Sequence, residues 1–120
     1  MNRHELQKRL IDFAVSIVHI TEKMPKSFAG KHLGGQLLRS GSSPALNYGE
    51  AQSAESKKDF RHKMSVCLKE LRETHVNLLI IQKTGISKQE DSIQTAINEC
   101  DELISMFVKS IQTLNKSRRR

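Results

Sequence analysis

Cysteine, aromatic residues and long apolar runs are all scarce in this chain of 120 residues, and each shortage removes a class of protein. Two cysteines, Cys67 and Cys100, cannot supply a disulfide framework, and they lack the close spacing or the His/Cys set that zinc requires. Both read as small buried hydrophobes. No window approaches the roughly 18 uninterrupted apolar residues of a membrane span, and the opening Met1-Asn2-Arg3-His4-Glu5 has no apolar stretch with a small-residue cleavage site. A cytoplasmic protein with no membrane partner is the expectation. Acidic residues are also in deficit, 13 against 20 Lys and Arg, leaving a net charge of +7 that favours polyanionic or acidic partners.

Catalytic constellations are missing too. Dinuclear carboxylate centres in helical bundles need paired Glu-x-x-His motifs, whereas this chain offers only Asp59-x-x-His62, and His19, His32 and His75 have no carboxylate at the matching upstream spacing. No Arg is followed four to six residues later by a His, the pattern of one large family of helical ribonucleases. Gly30-Lys31-His32-Leu33-Gly34-Gly35 lacks the Ser or Thr after Lys that a phosphate loop requires, and reads as a weak first turn of a helix. Neither cysteine has a base within helical reach. The expectation is a protein with no enzymatic activity, no metal and no cofactor.

What the chain has in abundance is helical rhythm. Leu6, Leu10, Phe13, Ile17, Ile20 and Met24 alternate at spacings of four and three, which predicts a helix over about 3–23 that Pro25 ends and after which Ser27 can cap the next. A third segment, about 56–84, carries Phe60, Met64, Cys67, Leu71, Thr74, Leu78 and Ile81 or Gln82, with Ser56 and Asp59 approximating a capping box and Gly85 as a left-handed stop. The last, about 88–116, carries Ile93, Ala96 or Ile97, Cys100, Ile104, Phe107, Ile111 and Leu114, with Ser87-Lys88-Gln89-Glu90 as its capping box. A basic tail, 116–120, follows.

The second segment, about 28–53, differs because its regular stripe is polar: Gln36, Ser40, Ser43, Asn47 and Glu50, with Leu33, Leu37, Ala45 and Tyr48 as apolar neighbours. Pro44 removes a backbone donor and crowds the carbonyl four residues back, so Gly41-Ser42-Ser43 predicts a kink or short break, recapped by Ser43, within one bent helix. Four helices joined by short turns predict one domain, an antiparallel up-down-up-down bundle. In that arrangement Cys67 lies level with about residue 105, too far along the axis from Cys100 for a disulfide.

The stretch from Gln36 through Arg39-Ser40-Gly41-Ser42-Ser43-Pro44-Ala45-Leu46-Asn47-Tyr48-Gly49-Glu50-Ala51, followed by Ser56-Lys57-Lys58-Asp59-Phe60 and Lys69-Glu70-Leu71-Arg72-Glu73-Thr74, resembles the four-helix-bundle family of the 23S rRNA-intervening sequence protein. The likeness extends over nearly the whole chain. It implies a small bacterial protein, a left-handed bundle and assembly into a ring of five. A related bundle, the accessory protein of diversity-generating retroelements, works beside a reverse transcriptase and binds nucleic acid.

Two groups of residues are candidate sites. The polar stripe, Gln36, Arg39, Ser40, Ser43, Asn47 and Glu50, together with Glu70 and Glu73, predicts a network between helices or at a subunit contact, with Arg39 paired to Glu50 or to Glu70 and Glu73. A ligand pocket is the alternative. An antiparallel bundle also gathers residues 1–9, 50–63 and 116–120 at one pole, where Arg3, Lys8, Arg9, Lys57, Lys58, Arg61, Lys63, Lys116, Arg118, Arg119 and Arg120 outnumber Glu5, Glu50, Glu55 and Asp59. The other segments balance, so the whole charge excess maps to that end.

Such a pole predicts backbone binding to nucleic acid, RNA favoured, without sequence reading. Only Phe60 and Tyr48 stand near it, which predicts weak stacking on bases. The bland alternative is a solubilising end. Ile11, Val15, Val18, Val66, Val76, Leu79 and Ile80 exceed what one bundle can bury and predict self-association. A scaffold or accessory factor on nucleic acid is the leading expectation; a protein-directed assembly or adaptor module is the second.

Overall fold

The computed structural model describes the backbone of residues 1–118 and the side chains of residues 1–116. Four helices account for most of it: α1 (Arg3–Glu22), α2 (Phe28–Ala51), α3 (Lys57–Thr84) and α4 (Glu90–Arg118), with no strand among the described residues. They pack into a bundle about 51 Å long and 21–22 Å across.

Local chemistry sets the helix ends. The Asn2 side chain accepts from Glu5 N and starts α1, and Ser27 accepts from Gly30 N at 3.1 Å to start α2. Ser56 accepts from Asp59 N at 3.0 Å, while the Asp59 carboxylate takes Glu55 N at 3.4 Å, a capping box displaced by one residue. Gly85, at φ 66°, closes α3 in the left-handed region that glycine enters without a Cβ penalty. The start of α4 departs from the expected capping box. Helix begins at Glu90, and the Ser87 hydroxyl accepts from Gln89, backbone at 3.4 Å and side chain at 2.9 Å, because the Gln89 amide also reaches the Ile20 carbonyl at 3.0 Å. A tertiary tie across to α1 has displaced the local motif.

Helix α2 also departs from expectation. It runs unbroken through Gly41, Ser42 and Ser43, and Ser43 does not recap it; its hydroxyl accepts instead from the Asn47 side chain at 2.9 Å. Pro44 costs the helix one donor, yet its ring lies in the core, where burial offsets the lost bond. The helix stops at Ala51, and residues 52 and 53 continue as a turn held by bonds to the Gly49 and Glu50 carbonyls.

The core is the predicted seams facing one another: Leu10, Phe13, Ile17 and Ile20 of α1, Leu37 and Tyr48 of α2, Leu71, Leu78 and Ile81 of α3, and Ile93, Cys100 and Phe107 of α4. Tyr48 meets Phe107 edge-on, centroids 6.0 Å apart. On α4 Leu103 takes the fully buried place, and Ile104 is only half-buried against it. Between α2 and α3 the partners rise in number along one helix as they fall along the other: Leu33 with Asn77, Ser40 with Thr74, Pro44 with Cys67, Glu50 with Lys63.

Candidate nucleic-acid interface

Three chain segments meet at one end of the bundle. A cavity of about 860 Å³ is lined by Arg3 from the start of α1, Gln52 and Glu55 from the α2–α3 turn, Lys57, Phe60 and Arg61 from the first turns of α3, and Leu114 near the end of α4. A second cavity of about 370 Å³ shares Arg3, Phe60 and Leu114 with it and adds Lys109.

The expected cations divide into two sets. Arg3, Lys57, Lys58, Arg61 and Lys116 make no ion pair among the described residues, and all but the half-buried Arg61 are exposed. Lys8, Arg9 and Lys63 are occupied. Lys8 holds Asp12 at 2.8 Å, a hydrogen-bonded contact that raises its pKa, and Lys63 lies 3.5 Å from Glu50. Arg9 clamps Glu99 through two nitrogens at 2.6 and 2.7 Å and reaches Glu102 at 3.1 Å, with the Met106 sulfur at 3.5 Å. The bonds to Glu99 push its pKa upward, and the half-buried pair joins α1 to α4. Spacing marks Lys8, four residues before Asp12, but could not mark Arg9, whose carboxylates lie 90 and 93 residues away. Arg119 and Arg120 lie outside the described residues, as does the side chain of Arg118.

The polar stripe of α2 forms four separate arrangements. Arg39 pairs with Glu70 at 3.0 Å and with Glu73, while the Gln36 side-chain oxygen accepts from Arg39 at 3.5 Å. Ser40 and Thr74 are fully buried with their hydroxyls 2.9 Å apart, and Thr74 is also 2.8 Å from the Glu70 carbonyl. Each hydroxyl has one proton, so all contacts are met when Ser40 donates to Thr74 and Thr74 donates to Glu70. Ser43 and Asn47 bond within α2, and Glu50 turns to Lys63. Arg39 and Glu50 make no contact.

Asn77, absent from the predicted network, makes a further polar tie between α2 and α3. Its amide nitrogen donates to the Leu33 carbonyl at 3.2 Å, and its buried oxygen has no partner among the described residues. The sequence signal was present: Asn77 continues the spacing Glu70-Thr74-Asn77 along one flank of α3.

Cys67 and Cys100 are buried and free, and burial pushes each thiol up to about 12. Their sulfurs donate to the carbonyls of Pro44 at 3.5 Å and Leu71 at 3.2 Å. The described residues hold no group of three or more His, Cys, Asp or Glu suited to a metal, and Asp59 is spent on its cap. No helix among them is long and apolar enough to cross a membrane. Of the expected apolar surplus, Ile11, Val15, Val18, Val76, Leu79 and Ile80 are exposed, as are Leu38, Leu46 and Phe28, while Val66 is half-buried.

A family model, that of the 23S rRNA-intervening sequence protein, matches residues 2–109. The chain belongs to the 23S rRNA-intervening sequence protein family. No curated protein matches it. Among solved structures, it is similar to a 1.70 Å crystal structure of a protein of unknown function from the S23 ribosomal protein family of Bacteroides thetaiotaomicron VPI-5482. The two share 28% identity with a TM-score of 0.83, over 93% of this chain and 99% of that one. In this member of the 23S rRNA-intervening sequence protein family, the end that gathers Arg3, Lys57 and Arg61 is built partly from the α2–α3 turn, within the matched region.

Proposed function

We propose that this chain is a non-enzymatic, oligomeric helical bundle that serves as a scaffold or accessory factor on nucleic acid, RNA foremost, through the end where α1 starts and α2 turns into α3. The observation that carries this reading is the set of cations there with no carboxylate partner among the described residues: Arg3, Lys57, Lys58, Arg61 and Lys116. Arg9, half-buried and held through two nitrogens by Glu99, cannot engage phosphate without breaking that pair and drops out of the surface, whereas Lys8 and Lys63 have only exposed, salt-screened partners.

The finer architecture belongs to the same proposal. An up-down-up-down, left-handed bundle repeated five times around a ring would turn one basic end into a rim. The opposed numbering of α2 and α3 supports the alternating direction, and exposed Ile11, Val15, Val76 and Ile80 support self-association. The number five rests on the family resemblance.

Titrating RNA affinity against salt tests the reading. The wild-type affinity should fall steeply as salt rises. Replacing Arg3, Lys57, Lys58 and Arg61 together by Gln should flatten the log–log slope by about 3 while the assembled mass by light scattering stays unchanged. Affinity that ignores salt, or none at low salt, rejects nucleic-acid binding at this end. The second reading, a protein-directed assembly module, is favoured by the exposed apolar side chains of α1 and α3. It predicts normal assembly with no polyanion binding in either protein. A monomer mass at micromolar concentration would remove self-association from both.

A further inference from the structure

Backbone binding needs only exposed cations, and the cavity at this end contains more than that. Three cations, Arg3, Lys57 and Arg61, line it together with the Phe60 ring and Leu114, and Glu55 is its one acidic side chain. At about 860 Å³ it falls within the roughly 300–1,000 Å³ of ordinary ligand clefts. Phe60 is half-buried against the core, so the ring is held in place, and it lines the adjoining cavity with Arg3 as well.

The first turn of α3 is not the source of attraction. Its Asp59 and Phe60 amides are already taken by the Ser56 hydroxyl and carbonyl, both at 3.0 Å. The charge on offer belongs to the side chains. A bare anion would satisfy the cations and leave Phe60 and Leu114 wetted, whereas a purely apolar ligand would leave three cations unpaired. A ligand with a planar ring and an attached phosphate satisfies both.

We infer that this cavity takes one nucleotide of a single strand, its base against the Phe60 ring and its phosphate among Arg3, Lys57 and Arg61. This deepens the nucleic-acid reading above and rests on it. Guanidinium groups hold phosphate oxygens in forked pairs, and a ring stacks on any base, so the site is selective for strandedness and tolerant of sequence. A base inside a duplex is already stacked and does not enter. The expectation of weak stacking from sequence counted Tyr48 as a second ring, but Tyr48 is buried against Phe107, and Phe60 alone serves.

The test compares a 12-nucleotide single-stranded RNA with a duplex of the same length, binding to the full chain at fixed low salt. The single strand should bind about tenfold more tightly. Phe60→Leu retains apolar bulk and removes the ring; it should weaken the single strand by about tenfold and leave the duplex unchanged, while Phe60→Trp retains single-strand binding. Arg61→Gln should weaken both. Circular dichroism establishes that each variant is folded. Equal binding of both RNAs with Phe60→Leu indifferent overturns the nucleotide site, while the loss of that binding on replacing Lys57 and Lys58 would keep the basic end. Absence of binding to either RNA overturns both.

Discussion

Toward α1, helix α2 presents glycine and alanine; toward α3 it presents serine and arginine. On the first flank a Cβ built on Gly41 would lie 2.8 and 2.9 Å from the γ carbons of Ile17, and one on Gly34 would touch Met24 at 3.5 Å. The two backbones approach so closely that side-chain volume has been surrendered. On the second flank Ser40 meets Thr74 inside the core, Arg39 reaches Glu70 and Glu73, and Leu33 accepts from Asn77. The difference teaches that one helix can be located by shape on one side and by hydrogen bonding on the other. Shape tolerates sliding along a smooth groove, whereas a buried hydroxyl pair has one low-energy alignment, since misregister strands a polar group without water.

The largest effect should come from breaking the steric flank. Gly41→Val drives two γ carbons into the fully buried Ile17 and is expected to cost about 3 kcal/mol in urea unfolding, with partial recovery when Ile17→Ala opens space. No loss in Gly41→Val would show that α1 is free to move away. Next is the hydrogen-bonded flank: Thr74→Ala leaves Ser40 buried and unpaired, for a loss of about 1–3 kcal/mol. Replacing both partners, Ser40→Ala with Thr74→Val, should restore most of that loss, because no polar group is then stranded. If the double variant is no better than the single, the pair contributes packing only.

Arg39→Gln should cost less than about 1 kcal/mol, since the guanidinium side is half in water and salt screens such pairs. A larger loss would move Arg39 from the rim of the polar flank into its centre. The smallest effect near neutrality comes from the thiols that brace both sides of α3. Cys67 and Cys100 titrate near 12 in the folded chain against 9.0 for an exposed thiol. Between those values the unfolded chain has released protons that the folded chain retains, so stability is intact below about pH 9 and falls as pH rises toward 12. Denaturant midpoints from pH 7 to 11 check this, and a thiol reagent at pH 8 should react with native protein at least ~100-fold more slowly than with unfolded protein.

How much of this was legible beforehand differs by residue. Leu10, Ile17, Leu71 and Phe107 announced themselves through spacing, because a helix repeats its inward face every three or four residues whatever surrounds it. Ser27, Ser56 and Gly85 were legible for a similar reason: a cap acts over four residues. Ser87 and Ser43 were misread, since each hydroxyl found a partner that competed with the local motif, Gln89 in one case and Asn47 in the other. The partners Glu70, Glu73, Thr74 and Asn77 were within reach of the spacing argument along α3, but the separation of Glu50 toward Lys63 was not.

Local pattern sets the presence of four helices, most of their ends, and the inward stripe of α1, α3 and α4, because those properties depend on interactions within a few residues; the glycine- and proline-bearing inward face of α2 carried no such signal. Composition sets the net charge of +7. Which of those charges remain available follows from contacts between distant segments. Arg9 and Arg3 stand six residues apart in the same helix, yet Arg9 is clamped to Glu99 and Glu102 while Arg3 faces a cavity made by α1, the α2–α3 turn and α4. An ion pair or a cavity wall requires atoms from distant segments at fixed separations, and no local pattern encodes a distance between helices.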